Sequence, residues 1–169
     1  KDSDYDPFLS MDGKRMYFMS ERRKPGIISY IGELWYSERS GMVWSSPVYP
    51  QNNLNETWIS YPVEVLDSGL YFSSFRDKRY GIFRSEILEN GYSEPEYLPE
   101  VINRVPGASQ AFVDPAERYI LFTAHPEGHG KTRIYISMKN ENQNWTEAVP
   151  LNSAINLTQT ECYPRVSPD

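Results

Sequence analysis

The chain has 169 residues with 39% apolar and 24% charged side chains, enough to bury a core and too apolar for a disordered segment. Seventeen basic against twenty-three acidic residues give a net charge of −6, which argues against a nucleic-acid backbone as partner. No apolar run reaches the length of a membrane-spanning helix, and the single Cys162 excludes both a disulfide framework and a four-cysteine zinc site.

In chain order, the first unit opens on YDPFLSMDG (5–13), followed by the alternating apolar runs MYFMS (16–20) and LWYS (34–37). Trp44-Ser45-Ser46-Pro47 comes next, and the unit closes on Leu54-Asn55. The second unit repeats this order: SYPVEVLDSG (60–69), LYFSS (70–74), IFRS (82–85), Tyr92-Ser93-Glu94-Pro95 and Ile102-Asn103. The third does so again with SQAFVDPAE (109–117), ILFTA (120–124), IYIS (134–137), Trp145-Thr146-Glu147-Ala148 and Ile155-Asn156. CYPRVSPD (162–169) restarts the pattern, so Pro7, Pro62, Ala111 and Pro164 mark intervals of about 50 residues.

Each run is short, alternates with period two and is rich in Tyr, Phe, Ile and Val, with Gly, Asp, Asn, Ser and Pro between runs. The nearest approach to a helical pattern, EYLPEVINRV (96–105), is interrupted by Pro99. Asp12-Gly13 and Ser68-Gly69 predict tight hairpin turns, whereas Ala116-Glu117 lacks glycine and predicts a different turn. A four-stranded antiparallel unit of about 50 residues in tandem is the pattern of a β-propeller blade. The expected architecture is therefore all-β: three blades (about 4–56, 57–107 and 108–160) and, from 161 to 169, the first strand of a fourth. Trp35, Phe83 and Tyr135 are expected between blades, and Trp44, Tyr92 and Trp145 on outer strands.

The motifs SMDGKRMYFMSERR and YPRVSPD resemble the TolB-type, WD-repeat-like propeller repeats of bacteria. NWTEAVPLNSAIN (144–156) resembles the fourth-strand segment of such repeats in exported and outer-membrane-associated proteins. The second unit, with VLDSG, and the third, with VDPAE, depart from the family's Ser-Pro-Asp-Gly core. The resemblance implies a periplasmic, secreted or outer-membrane-associated binding scaffold and does not specify its ligand.

Alternating strands put the second-to-third-strand loops and the connections between blades on one face. Arg22, Arg23, Lys24, Arg76, Asp77, Lys78, Arg79, Arg104, His125, His129 and Lys131 then share that face. A local basic rim on a rigid scaffold suits an anionic group of a protein, peptide or carbohydrate partner. Arg22, Arg23, Arg76, Asp77, Arg79, Arg104, His125 and His129 are the candidate ligand-binding residues; the competing reading is a solvated charged surface. His125 and His129 have a spacing that brings ligands together on a helix, but Pro126, Gly128 and Gly130 forbid one, so neither a metal nor another cofactor is expected. No nucleophile elbow or phosphate loop occurs, and nothing singles out a catalytic carboxylate pair. A non-catalytic interaction module is the leading expectation, and the propeller part of a hydrolase or lyase acting on peptides or carbohydrates is the alternative.

Closed propellers usually have at least four blades. The chain is thus expected to be a fragment of a longer protein, half of a homodimer completing a six-bladed ring, or an open arc. Its end in mid-motif, at Ser167-Pro168-Asp169, favours the fragment.

Overall fold

The computed structural model describes residues 2–22, 32–50, 53–57, 59–65, 69–89, 91–128 and 130–167. The first unit contains β1 (Asp4–Leu9), β2 (Arg15–Ser20), β3 (Glu33–Ser40) and β4 (Val43–Trp44), paired in that order as one antiparallel sheet. The second contains β5 (Ile59–Val65), β6 (Gly69–Arg76), β7 (Arg79–Ser85), the small hairpin β8 (Ile87–Leu88) and β9 (Gly91–Tyr92), and β10 (Glu96–Tyr97). There β5, β6, β7 and β10 form the four-stranded sheet. The third contains β11 (Ser109–Val113), β12 (Tyr119–Ala124), β13 (Arg133–Met138) and β14 (Val149–Pro150), again in chain order. The protein is all-β apart from a 3-10 turn at Asn53–Glu56 and a one-turn helix, α1 (Glu100–Asn103), and no sheet closes on itself. Pro99 stands at the N-cap of α1, where its missing N–H costs nothing, so it starts a helical turn instead of abolishing one.

The three large sheets stack face to face, and this explains why the second strand of the middle one is apolar on both sides. On β6, Leu70 and Phe72 face the first sheet and pack with Tyr17, Met19 and Leu34. The intervening Tyr71 faces the third sheet and packs with Ile120, Phe122 and Tyr135. Phe72 stacks on Phe83 at 6.3 Å, and in the third unit Phe122 stacks on Tyr135 at 5.7 Å, the same pair one unit on. Phe83 and Tyr135 thus lie in the packing between sheets as expected, while Trp35 meets Tyr49 edge-on at 5.3 Å.

Hydrogen bonds explain why the short polar motifs recur. The asparagine that ends each unit takes the place of a strand partner. Its Oδ1 accepts from, and its Nδ2 donates to, the main chain of one residue on the third strand: Asn55 with Leu34, Asn103 with Ile82 and Asn156 with Ile134 (2.8–3.0 Å). The residue after the outer aromatic forms a reciprocal pair with the end of the third strand. Glu38, Glu86 and Met138 donate main-chain N–H groups to Ser45 Oγ, Ser93 Oγ and Thr146 Oγ1. The N–H groups of Ser45, Ser93 and Thr146 return to the carbonyls of Glu38, Glu86 and Met138. Ser85 and Ser137, which end the third-strand runs, donate to the carbonyls of Ser93 and Thr146 at 2.6 Å. The fourth strand therefore returns in two pieces, with β9 and β10 separated in the second unit, where the sequence suggests a single strand.

The turn without glycine keeps the geometry of the turn that has one. Gly13 N–H donates to the Ser10 carbonyl at 2.8 Å with φ 68°, and Glu117 N–H to the Asp114 carbonyl at 2.7 Å with φ 51°. The expected different turn is not found. Asp114 supplies locally what Ser10 and Asp12 supply together in the first unit: its carboxylate accepts the N–H groups of Ala116 and Arg118. A left-handed glutamate is strained, and its side chain is tied down from its own unit and from the second. Tyr71 Oη donates to it, Lys139 Nζ lies at 3.0 Å and Arg84 Nε at 3.9 Å.

Candidate functional site

The first strands β1, β5 and β11 lie side by side along the inner edges of the sheets. Each carries a bulge early in its length, where the pairing register shifts between Tyr5 and Phe8, Ser60 and Val63, and Ser109 and Phe112. At the bulge sits a left-handed, non-glycine residue: Asp6 (φ 50°), Tyr61 (φ 53°) and Gln110 (φ 51°). Tyr163 (φ 55°) repeats this in the segment that restarts the pattern. Bulges re-aim side chains, and left-handed non-glycine residues are costly enough that four in register mark a purposeful position.

The four side chains converge. The Tyr61 and Tyr163 rings meet edge to face at 5.6 Å. Tyr163 N–H donates to Gln110 Oε1 at 3.1 Å, and Thr123 Oγ1 donates to the same oxygen at 3.1 Å. Asp6, Pro7, Phe8, Tyr61, Pro62, Tyr163 and Arg165 line a cleft of about 200 Å³. Its electrostatics follow from partial removal from water. Burial pushes the Asp6 carboxyl up and the Arg165 guanidinium down. The hydrogen bond with Tyr61, and then burial, push the Tyr163 phenol up to about 12.

Most of the sequence-derived candidates have internal partners. Arg22 pairs with Asp4 at 2.6 Å and lies over Phe18. Arg76 is buried: its Nε donates to Ser74 Oγ, its Nη2 to the Leu54 carbonyl, and its guanidinium covers Phe72. Asp77 and Lys78 form a two-residue turn with both φ values positive, so β6 and β7 pair as far as Arg76 and Arg79. Arg79 lies 4.5 Å over the Tyr97 ring, and Arg104 pairs with Glu147. His125 packs its ring against Gly107, where any Cβ would come within 2.3 Å of it, and its N–H donates to the Pro106 carbonyl. Arg23, Lys24 and His129 lie outside the described residues. Lys131 pairs with Glu127 at 2.7 Å. Among the described residues, no group of three or more His, Cys, Asp or Glu side chains is arranged to hold a metal.

The residues that do converge were not among the sequence candidates. Their signal was positional: Asp6, Tyr61, Gln110 and Tyr163 each precede the anchor residues Pro7, Pro62, Ala111 and Pro164. A residue before proline is steered away from the right-handed helical region, yet tyrosine seldom turns left-handed, so the type of residue concealed the bulge. In comparison with known proteins, the chain matches no family model and no curated protein.

Proposed function

We propose that this chain is a non-catalytic binding scaffold of the TolB-like propeller type, exported from the cytoplasm, and that its ligand enters at the bulge end of the first strands. The observation that carries this reading is the cleft among Asp6, Tyr61, Tyr163 and Arg165: one repeated backbone feature presents different side chains to one point. A rigid framework displaying varied groups at one place is a recognition device. The partner class is a protein, peptide or glycan bearing a group small enough for that cleft. Ligand-observed NMR against a peptide and glycan panel tests this. Binding lost in Tyr61→Ala without product formation supports it; turnover of a panel member overturns it in favour of a hydrolase or lyase.

The same reading has two copies joining end to end into a six-bladed ring. Inside the chain, the leading side of one sheet already packs twice on the trailing side of the next. Leu54 and Ile102, which end the first two units, are fully buried there, whereas their counterpart Ile155 is 51% exposed. On the opposite end, Tyr5, Pro7, Met16 and Phe18, with Asp4, line a mainly apolar cleft of about 290 Å³. Light scattering at twice the 19.6 kDa chain mass, reverting to that mass in Ile155→Asp, is the expected result; a monomer at high concentration overturns the ring.

A further inference from the structure

Two groups lining the cleft are charged and opposite in sign, and neither belongs to an ion pair among the described residues. Asp6 has no salt-bridge partner there, and Arg165 donates to the carbonyl of its own neighbour, Pro164, at 2.9 Å. Asp6 is half-buried, and burial raises its carboxyl, whereas Arg165 is exposed where it lines the cleft. A half-buried carboxylate and an exposed guanidinium, neither in an ion pair among the described residues, thus leave an acid and a base facing one small cleft and open to a ligand. Around them stand the rings of Tyr61, Tyr163 and Phe8 and the rigid Pro7 and Pro62.

We infer that the cleft binds a compact zwitterion of the α-amino-acid type, its ammonium group at Asp6 beside the tyrosine rings and its carboxylate at Arg165. This rests on the binding reading above and names the chemistry of its ligand. An anion alone would leave Asp6 uncompensated and repelled, and a cation alone would do the same to Arg165. A neutral sugar would leave both charges unpaired. A zwitterion answers both, and tyrosine faces favour a cation close to the carboxylate. The cleft volume of about 200 Å³ suits a free small molecule, not a bound strand of peptide.

The test uses three matched probes on the whole chain: L-alanine, propionate (alanine without the ammonium group) and ethylamine (alanine without the carboxylate). Binding is followed by the amide shifts of Gln110 and Tyr163 in two-dimensional NMR. Alanine is expected to bind at least about tenfold more tightly than either single-charge probe. Asp6→Asn should reduce alanine to the affinity of propionate, and Arg165→Gln should reduce it to that of ethylamine. Asparagine tolerates the left-handed conformation, so the first variant keeps its fold, as unchanged shifts away from the cleft would verify. Equal affinities of the three probes, no response to alanine, or indifference to both substitutions would overturn the inference. If a panel peptide or glycan still binds at the cleft while alanine does not, the binding reading stands and the zwitterion falls. If neither binds, both fall.

Discussion

The two ends of the first strands treat charge in opposite ways. At the turn end, Asp114 holds Arg118 in a two-pronged contact at 2.8 Å, and Glu117 meets Tyr71, Lys139 and Arg84. In the first unit, Asp12 accepts from Ser10 and from the Lys14 N–H. At the bulge end, less than the length of one strand away, Asp4 is paired with Arg22, but Asp6 and Arg165 face a shared cleft and belong to no ion pair among the described residues. The contrast separates the part of the repeat that holds the sheets together from the part that is open to a ligand.

Substitutions at the two ends should therefore differ in both size and sign. The largest effect is expected for Glu117→Ala, which strips the buried Tyr71 hydroxyl and Lys139 of a shared acceptor. Urea unfolding should show a loss of about 2–3 kcal/mol, with Glu117→Gln losing less because an amide oxygen still accepts. Next comes Asp114→Ala, at about 1–2 kcal/mol, moderated because Arg118 is itself solvent-exposed. The Arg118 hydrogen bonds hold the Asp114 carboxyl below its ordinary value. Its contribution is therefore complete above the unfolded carboxylate pKa, near 4, and is lost as pH falls through the lower folded value. Acid unfolding of the Asp114→Asn variant should accordingly lose part of the slope seen for the wild type below about pH 4.

Smaller effects belong to the bulge end. Tyr61→Gly relieves a left-handed side chain by roughly 1 kcal/mol while forfeiting the ring contact with Tyr163. Its melting temperature should barely move although ligand binding is lost. Asp6→Asn should be neutral to slightly stabilising at pH 7. A carboxyl whose folded pKa is raised is disfavoured in its charged form, and that penalty disappears as pH falls through the folded value. Thermal melts at pH 7 and pH 4 should show the advantage of the variant at the higher pH alone. Destabilisation at pH 7 comparable to that of Asp114→Ala would place Asp6 in the framework and erase the contrast.

What was legible in the sequence follows the same division. The runs at 16–20, 70–74 and 120–124 were visible because these strands are buried nearly throughout, so their apolar residues run on with little alternation. The closing Asn55, Asn103 and Asn156 were visible as a motif, but their role as substitute strand partners needed coordinates. The internal partners of the basic residues were not visible, for a physical reason. Charge is local in sequence, while pairing is not: Arg104 meets Glu147, and Arg76 turns inward to Leu54. The cleft was hidden because backbone handedness, and not residue type, brings Asp6, Tyr61, Gln110 and Tyr163 together.

The four left-handed bulges have one more consequence. Since aspartate, tyrosine and glutamine all occupy the same backbone conformation there, within 50° to 55° of φ, the position behaves as a socket whose fitting can be exchanged. Shape is fixed by the turns, the asparagines and the stacked strands, while the chemistry at the bulges is set by a few letters of the sequence. A new specificity could arise, or be engineered, by replacing those letters one at a time without asking the chain to fold again.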